Sequence, residues 1–412
     1  MTDFRPLVPL LTAAGILLAG NGLQGTMIAL RGAEEGFSTG QIGFMGTCYF
    51  AGFILACFAT PRMLAAVGHI RTFAALAATA ASGTLAIALW LGPYPWMVIR
   101  FVMGFCFSGL FTTMESWLNT GVPNSERGRV LSVYRMIDLG AVTGSQYLLP
   151  LLGSSDFRIF SVMAIMVTIS LVPVSLADRS NPKPPEEFRF DIPQMWRISP
   201  LASIGCVVIG MTNSAFRLIG PVYARDLGFS DTGIANFISA SIIGAAVMQY
   251  PFGWWSDRHG RRIVLLFASI GAVAAGLYLT MLAGGSHTAN LVGVFFFGAF
   301  ALPLYSLSAA HANDRAKEGQ YVLVAAGLMF FYSVGAMAGP FVASLLMEWR
   351  GPAALFSFTS AVHAVLIAAT LWRMRARGPA DRRGRFAAVM RTSPLIFRLA
   401  RKRGEAERNG GK

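Results

Sequence analysis

The chain has 412 residues, of which 54% are hydrophobic and only 13% charged. Soluble domains carry about a quarter charged residues, so the soluble class is excluded and most of the chain is read as membrane-embedded. The net charge of +14 would suit nucleic acid, yet the basic residues lie between apolar runs and in the C-terminal segment, where they meet anionic lipid instead, so no nucleic-acid partner is inferred.

The N-terminal MTDFRPLVPLL leads into an apolar run longer than the core of a cleaved signal, and it is read as the first membrane helix. Runs of about 20 residues, enough to cross a hydrocarbon core, lie at 8–30, 40–61, 72–91, 96–119, 130–152 and 157–177, then at 200–223, 232–254, 263–283, 290–311, 320–346 and 353–373. In lipid the backbone must be satisfied within each segment or by a closed barrel, and strand-like alternation is absent. The fold class is therefore an all-α membrane protein with twelve transmembrane helices. A stretch rich in proline and charge, 178–199, links a first six-helix bundle (1–177) to a second (200–373), and 374–412 forms a basic tail. Lys and Arg gather in the segments that share a side with both termini, which makes that side cytoplasmic. The tail, with Phe386, Val389, Met390, Leu395, Ile396 and Leu399 among its basic residues, is expected either to lie on anionic lipid or to be disordered.

A shift of 192 residues lays Gly36-Phe37-Ser38 on Gly228-Phe229-Ser230, Gly68 on Gly260 and Asn21 on Asn213. The two bundles are thus expected to be pseudo-symmetric duplicates with a site at their interface, as in a secondary transporter. All four cysteines, Cys48, Cys57, Cys106 and Cys206, fall in apolar runs and read as core residues. The sequence holds no phosphate-binding loop, and His69, His259, His287, His311 and His363 have no metal-ligand spacing. Neither a cofactor, a metal nor an enzymatic activity is inferred.

Ionisable groups inside the spans are the clearest pointers to transport, because each is costly in lipid and faces the bundle interior or water. Away from the span ends five charged residues occur: Arg100, Glu115, Arg135, Asp138 and Arg217. Arg135, Asp138, Val142 and Gln146 share one helical face, expected to line the cavity. Glu115 and Arg135 lie at similar depth on neighbouring helices and are expected to pair, either as a structural ion pair or as part of a polar cavity with Ser108, Thr112 and Asn119. Asp138 has no obvious partner on its own helix. It is the leading candidate to carry a proton, the alternative being a fixed ion pair with Arg217 or Arg100. Asn213 and Arg217 share a face, as do Asn21 and Gln24 on the first helix. An always-charged guanidinium in a cavity suits a carboxylate or phosphate on a solute, and pairing with Asp138 is the competing reading. Phe216, Tyr250, Tyr305, Phe330 and Tyr332 are further candidates for solute contact or for packing.

The stretch GWWSDRHGRR, residues 253–262, concentrates charge between two apolar runs. Its pattern of Gly253, Asp257, Arg258, Gly260, Arg261 and Arg262 resembles the signature loop of the major facilitator superfamily, and the first-half copy PRMLAAVGHIR keeps Gly68 and Arg71 but has Ala65 in place of the aspartate. RFVMGFCFSG (100–109) resembles that superfamily's fourth-helix pattern. ESWLN (115–119), RGRVLSVY (127–134) and GPVYA (220–224) resemble more narrowly the YcaD-type branch of bacterial transporters. The resemblance implies a coupling role for Arg100 and a gate formed by the signature-loop residues. Asp257 would meet the positive N-terminal end of the fifth helix, near Gly128-Arg129, or the arginines would act only as topology anchors. Gly335 to Pro340 resembles an antiporter motif but lies in the other half, so no exporter is inferred from it.

These readings combine into a monomeric secondary transporter of a bacterial-type inner membrane. It moves a small solute, preferentially anionic or zwitterionic, by proton-coupled alternating access. Asp138, Glu115, Arg135 and Arg100 would handle the proton, and Asn21, Gln24, Gln146, Asn213 and Arg217 the solute. A drug or metabolite efflux pump is the alternative, and a non-transporting receptor or scaffold a further one.

Overall fold

The structure is a computed structural model that describes residues 7–120, 127–176, 191–281, 285–317, 320–376 and Phe386. Among these residues there is no strand, and the first half comprises α1 (Val8–Glu34), α2 (Thr39–Val67), α3 (His69–Leu89), α4 (Pro93–Thr120), α5 (Arg127–Gln146), α6 (Leu148–Leu152), α7 (Phe157–Ile169) and α8 (Leu171–Leu176). A short α9 (Ile192–Ile198) precedes the second half: α10 (Pro200–Asp226), α11 (Asp231–His259), α12 (Arg261–Met281), α13 (His287–Ala301), α14 (Leu304–Asn313), α15 (Tyr321–Arg350) and α16 (Ala354–Ala376).

Among the described residues 11 segments are long and apolar enough to cross a membrane. The expected crossing at 130–152 corresponds to α5 with α6 and falls short of that criterion, because Arg135 and Asp138 dilute its apolar stretch and the helix breaks at Tyr147. Three expected spans are interrupted, at Tyr147, Ser170 and Leu302, and Pro150, Pro173 and Pro303 lie close by. Each proline removes the N–H that would serve the carbonyl one turn earlier. Large apolar side chains such as Val98, Ile165, Val247, Phe267 and Val365 are exposed on the outer faces, which suits lipid as solvent. The linker expected over 178–199 is helical in its last part: Asp191 caps α9 by accepting from Gln194 N at 2.9 Å, and Trp196 packs on Phe331 of α15. Residues 178–190 lie outside the described ones, as does the tail apart from 374–376 and Phe386.

The internal duplication is visible in the backbone. Gly36 and Gly228 both turn through positive φ, 78° and 77°, a conformation glycine adopts without penalty. Ser38 and Ser230, two residues on, cap α2 and α11 by accepting from Gln41 N and Gly233 N. The closest helix seams repeat as well. A Cβ on Gly52 would lie 1.9 Å from the Phe101 carbonyl oxygen and one on Gly104 1.8 Å from that of Tyr49, and the same relation recurs at 2.1 Å for Gly244 on Phe295 and 2.0 Å for Gly298 on Ser241. In lipid, where apolar burial drives helices together only weakly, such backbone approach supplies the packing that holds them.

The short connections bring the chain back and forth, so that α9 and Phe386 lie at the end where α1 starts, here named the tail end; the opposite one is the far end. Among the described residues, contacts joining the halves are found at mid-depth and towards the far end. Thr47 Oγ1 donates to the Met337 carbonyl at 2.6 Å, Tyr147 Oη donates to Asn236 Oδ1 at 3.0 Å, and Gly25 meets the Arg217 carbonyl.

Candidate functional site

At mid-depth, α1, α2, α4 and α10 bring together Asn21, Gln24, Tyr49, Arg100 and Arg217, and Asn213 lies one turn before Arg217 on α10. The α2–α4 glycine seam does the placing, since Gly104 lies one turn beyond Arg100 and rests on the Tyr49 backbone. The Arg100 guanidinium consequently stacks 4.2 Å above the Tyr49 ring. Its Nη1 donates to Gln24 Oε1 at 3.5 Å, Gln24 Nε2 donates to Thr84 Oγ1 at 3.3 Å, and Tyr49 Oη donates to Asn21 Oδ1 at 3.4 Å. These are long hydrogen bonds. Arg217, from the other half, is exposed and lies within electrostatic reach of Tyr49.

This cluster has more positive charge than it can satisfy. Arg100 is 5% exposed and its Nε has no partner, and among the described residues no carboxylate pairs with Arg100 or Arg217. Stacking on tyrosine returns about 0.5–2 kcal/mol, whereas burying a charge costs several kcal/mol. Asn213, one turn before Arg217, is 1% exposed with neither amide atom hydrogen-bonded, a further cost of about 1–3 kcal/mol per group. An anion entering between the two guanidiniums would offset these deficits. Neither charge has a pseudo-symmetric counterpart: the relation between the seams places Ser241 opposite Tyr49, Val294 opposite Arg100 and Gly25 opposite Arg217.

The second group lies on α5. Asp138 does have a partner on its own helix, contrary to the expectation: Arg135 Nη1 is 2.6 Å from Asp138 Oδ2, with 19% and 14% of the two side chains accessible. Spacing of i, i+3 puts them on neighbouring turns, so neither Arg217 nor Arg100 is needed to neutralise Asp138. Glu115 is buried on α4 beside Ser108 and Thr112; the side chain of Asn119 lies outside the described residues. Gln146 departs from its expected place on the cavity wall. It is buried in the α1–α5 contact, accepting from Thr26 Oγ1 at 2.8 Å and donating to the Gly22 carbonyl at 3.1 Å. Val142, on the same face, packs against Gly22 but stays partly accessible, as do Arg135 and Asp138, so of the four only Gln146 is buried. Of the aromatic candidates, Phe216 is buried among Phe237, Phe297 and Phe356 in the second-half core, and Tyr250 is 77% exposed.

The signature-loop residues sit at the tail end. Gly68 and Gly260, at φ 81° and 101°, each end one helix and start the next, and Arg71 is exposed. Arg261 is the centre of a buried network, donating to Ser256 Oγ and Asp257 Oδ1 at 2.5 Å and to Asp314 Oδ2 at 3.1 Å. Arg258 stacks over Trp254 at 3.9 Å, and Arg262 Nη1 donates to the Arg373 carbonyl at 3.2 Å. The side chains at the start of α5, near Gly128 and Arg129, where the partner of Asp257 was expected, lie outside the described residues; among the described ones Asp257 has two partners. Besides Arg261, its carboxylate accepts from Phe386 N at 3.0 and 3.1 Å, and the Phe386 ring fills the space a Cβ on Gly253 would need, 2.2 Å away.

Tyr49 is the residue that sequence reasoning missed. It is uncharged and has no polar counterpart of its size in the second half, and only the Gly52/Gly104 seam reveals that it shares depth with Arg100.

The profile of the Major Facilitator Superfamily matches residues 10–203 and again 202–404. An uncharacterized MFS-type transporter of Enterobacter sp. (strain 638) is 26% identical over 364 residues, covering 88% of this chain and 94% of its own. The uncharacterized MFS-type transporter YcaD of Escherichia fergusonii is 24% identical over 360 residues, covering 87% and 93%. Among solved structures, the nucleoside transporter NupG superposes with a TM-score of 0.72 at 12% identity, over 91% of this chain and 100% of that one. A bacterial homologue of the human lysosomal transporter Spinster, inward-facing and unoccupied, superposes with a TM-score of 0.66 at 12% identity, over 98% of both chains.

Proposed function

Since the chain belongs to the Major Facilitator Superfamily, and is a multi-pass membrane transporter rather than an enzyme, we propose that it moves a small solute bearing a carboxylate or phosphate across a bacterial inner membrane by proton-coupled alternating access. The observation that carries the solute class is the pair Arg100 and Arg217 around Tyr49, with no carboxylate on either among the described residues. A guanidinium offers planar, forked donors suited to such a group, and Asn213 supplies an amide one turn away. Asp138 carries the proton: protonation releases Arg135, and the accessible ion pair lets that exchange reach water. Arg258, Arg262, Arg373 and Arg375 at the tail end support a cytoplasmic placement of both termini. With the far end joined, the described conformation is the one closed to the outside.

Thermal stability of the purified protein, read with anionic, neutral and cationic metabolites, tests the solute class. A ligand at 100 times its Kd adds about 2.7 kcal/mol. Anions are expected to raise Tm in the wild type and to lose that effect in Arg217→Ala. Stabilisation by cations alone, or an anion effect that survives Arg217→Ala unchanged, would overturn the anionic reading.

A further inference from the structure

The far end holds a contact between the halves that is built as a latch. Glu348 lies in the last turn of α15, and its Oε1 accepts from the backbone N–H of Gly40 at 2.7 Å. Gly40 is the second residue of α2, whose cap, Ser38, already serves Gln41 N at 3.1 Å. The carboxylate thus takes one of the N–H groups that a helix start leaves without an intrahelical partner, at the end where the helix dipole favours an anion. On its own helix the same carboxylate sits at the C-terminal end, where the dipole disfavours it. The partners therefore stabilise each other only when the halves are together.

The surrounding seam is shaped for this closure. A Cβ on Gly40 would lie 3.2 Å from Glu348 Oε2, one on Gly43 2.1 Å from Ser344 Oγ and 2.6 Å from the Pro340 carbonyl oxygen, and one on Gly46 2.7 Å from Leu218 Cδ2. Glycines at 40, 43 and 46 follow one face of α2, which lets Pro340, Ser344 and Glu348 of α15 approach its backbone closely. Among the described residues Glu348 has no ion pair, and neighbouring Arg350 stacks on Trp349 at 4.3 Å instead. The N-terminus of α2 is its polar partner.

We infer that Glu348 is the far-end latch of the transport cycle, holding the two halves closed by capping α2 and releasing it when they rock to open that end. The inference rests on the alternating-access reading, and it concerns a residue outside the solute site. Opening requires the carboxylate to leave Gly40 N–H and return to water, where both groups are satisfied. The latch thus biases the equilibrium without trapping it.

The test is the distance distribution between spin labels in the full-length protein, reconstituted without solute and with its four cysteines replaced. One pair, at Leu91 and Gly285, reports the far end; the other, at Ala66 and His259, reports the tail end. Glu348→Ala is expected to shift the ratio of far-end-open to far-end-closed populations about two- to fivefold, with the tail-end pair shortening in step. Glu348→Gln, which keeps an acceptor and loses the charge, falls between. Unchanged distributions in Glu348→Ala, or far-end lengthening without tail-end shortening, would each overturn the latch. Loss of solute stabilisation in Arg217→Ala leaves these distances unaffected, so the latch and the solute site fail separately.

Discussion

Gly52→Ala is expected to lower Tm sharply and to dismantle the solute site, whereas Gly144→Ala is expected to leave both intact. The difference follows from what the added methyl meets. At position 52 it lies 1.9 Å from the Phe101 carbonyl oxygen, which is backbone and cannot rotate aside, while at 144 nothing lies within 4 Å. To accommodate it, α2 and α4 must separate, and that separation pulls the Tyr49 ring from under the Arg100 guanidinium. Overpacking costs about 1–3 kcal/mol when side chains can adjust, so a clash with backbone belongs at the upper end or beyond. At Gly144, alanine brings the better helix propensity, about 1 kcal/mol. Scanning fluorimetry of both variants in detergent checks the pair, and a Gly52→Ala protein with wild-type Tm would contradict the seam.

Arg100→Leu is expected to stabilise the empty protein while weakening its response to anions. Replacing an isolated, desolvated guanidinium by an apolar side chain removes a cost that the Tyr49 stack and one long hydrogen bond do not cover. Comparable replacements of buried charges have been neutral or stabilising by about 1–4 kcal/mol. Losing a charged hydrogen bond to the solute costs about 1.5–3 kcal/mol, which weakens binding roughly 10- to 150-fold. Stability and binding thus move in opposite directions, an outcome that a purely structural arginine does not produce. Arg100→Lys keeps the charge but loses the stack and the fork, and should bind weakly without the gain in Tm. Melting curves with and without an anionic ligand read both effects, and a destabilised Arg100→Leu would mark the arginine as structural.

Most of the architecture was legible in the sequence because lipid imposes simple rules. Apolar runs of a fixed length, a charged linker and a repeat at 192 residues led to two pseudo-symmetric bundles, and Gly36/Gly228 and Gly68/Gly260 recur in the backbone as that repeat implies. Departures came where polar groups interrupt the pattern. The crossing at 130–152 carries an ion pair and breaks before a proline, so length and apolarity describe it poorly. Helical periodicity placed Arg135, Asp138, Val142 and Gln146 on one face, and they do share it. Periodicity does not tell which part of a face touches a neighbouring helix, and Gln146 turned out to serve α1. Contacts between elements far apart in the chain were the least legible: Asp257 with Phe386, Gly40 with Glu348, and Arg100 over Tyr49 depend on how close glycines let backbones come.

The most direct test of the central claim is the current produced by the reconstituted protein on a solid-supported membrane, when anionic solutes that stabilise it are applied under a set proton gradient. The account predicts currents in the wild type that disappear in Arg217→Ala, and an Asp138→Asn protein that still exchanges solute but no longer responds to the gradient. Wild-type currents in Arg217→Ala, or gradient-driven transport in Asp138→Asn, would contradict it.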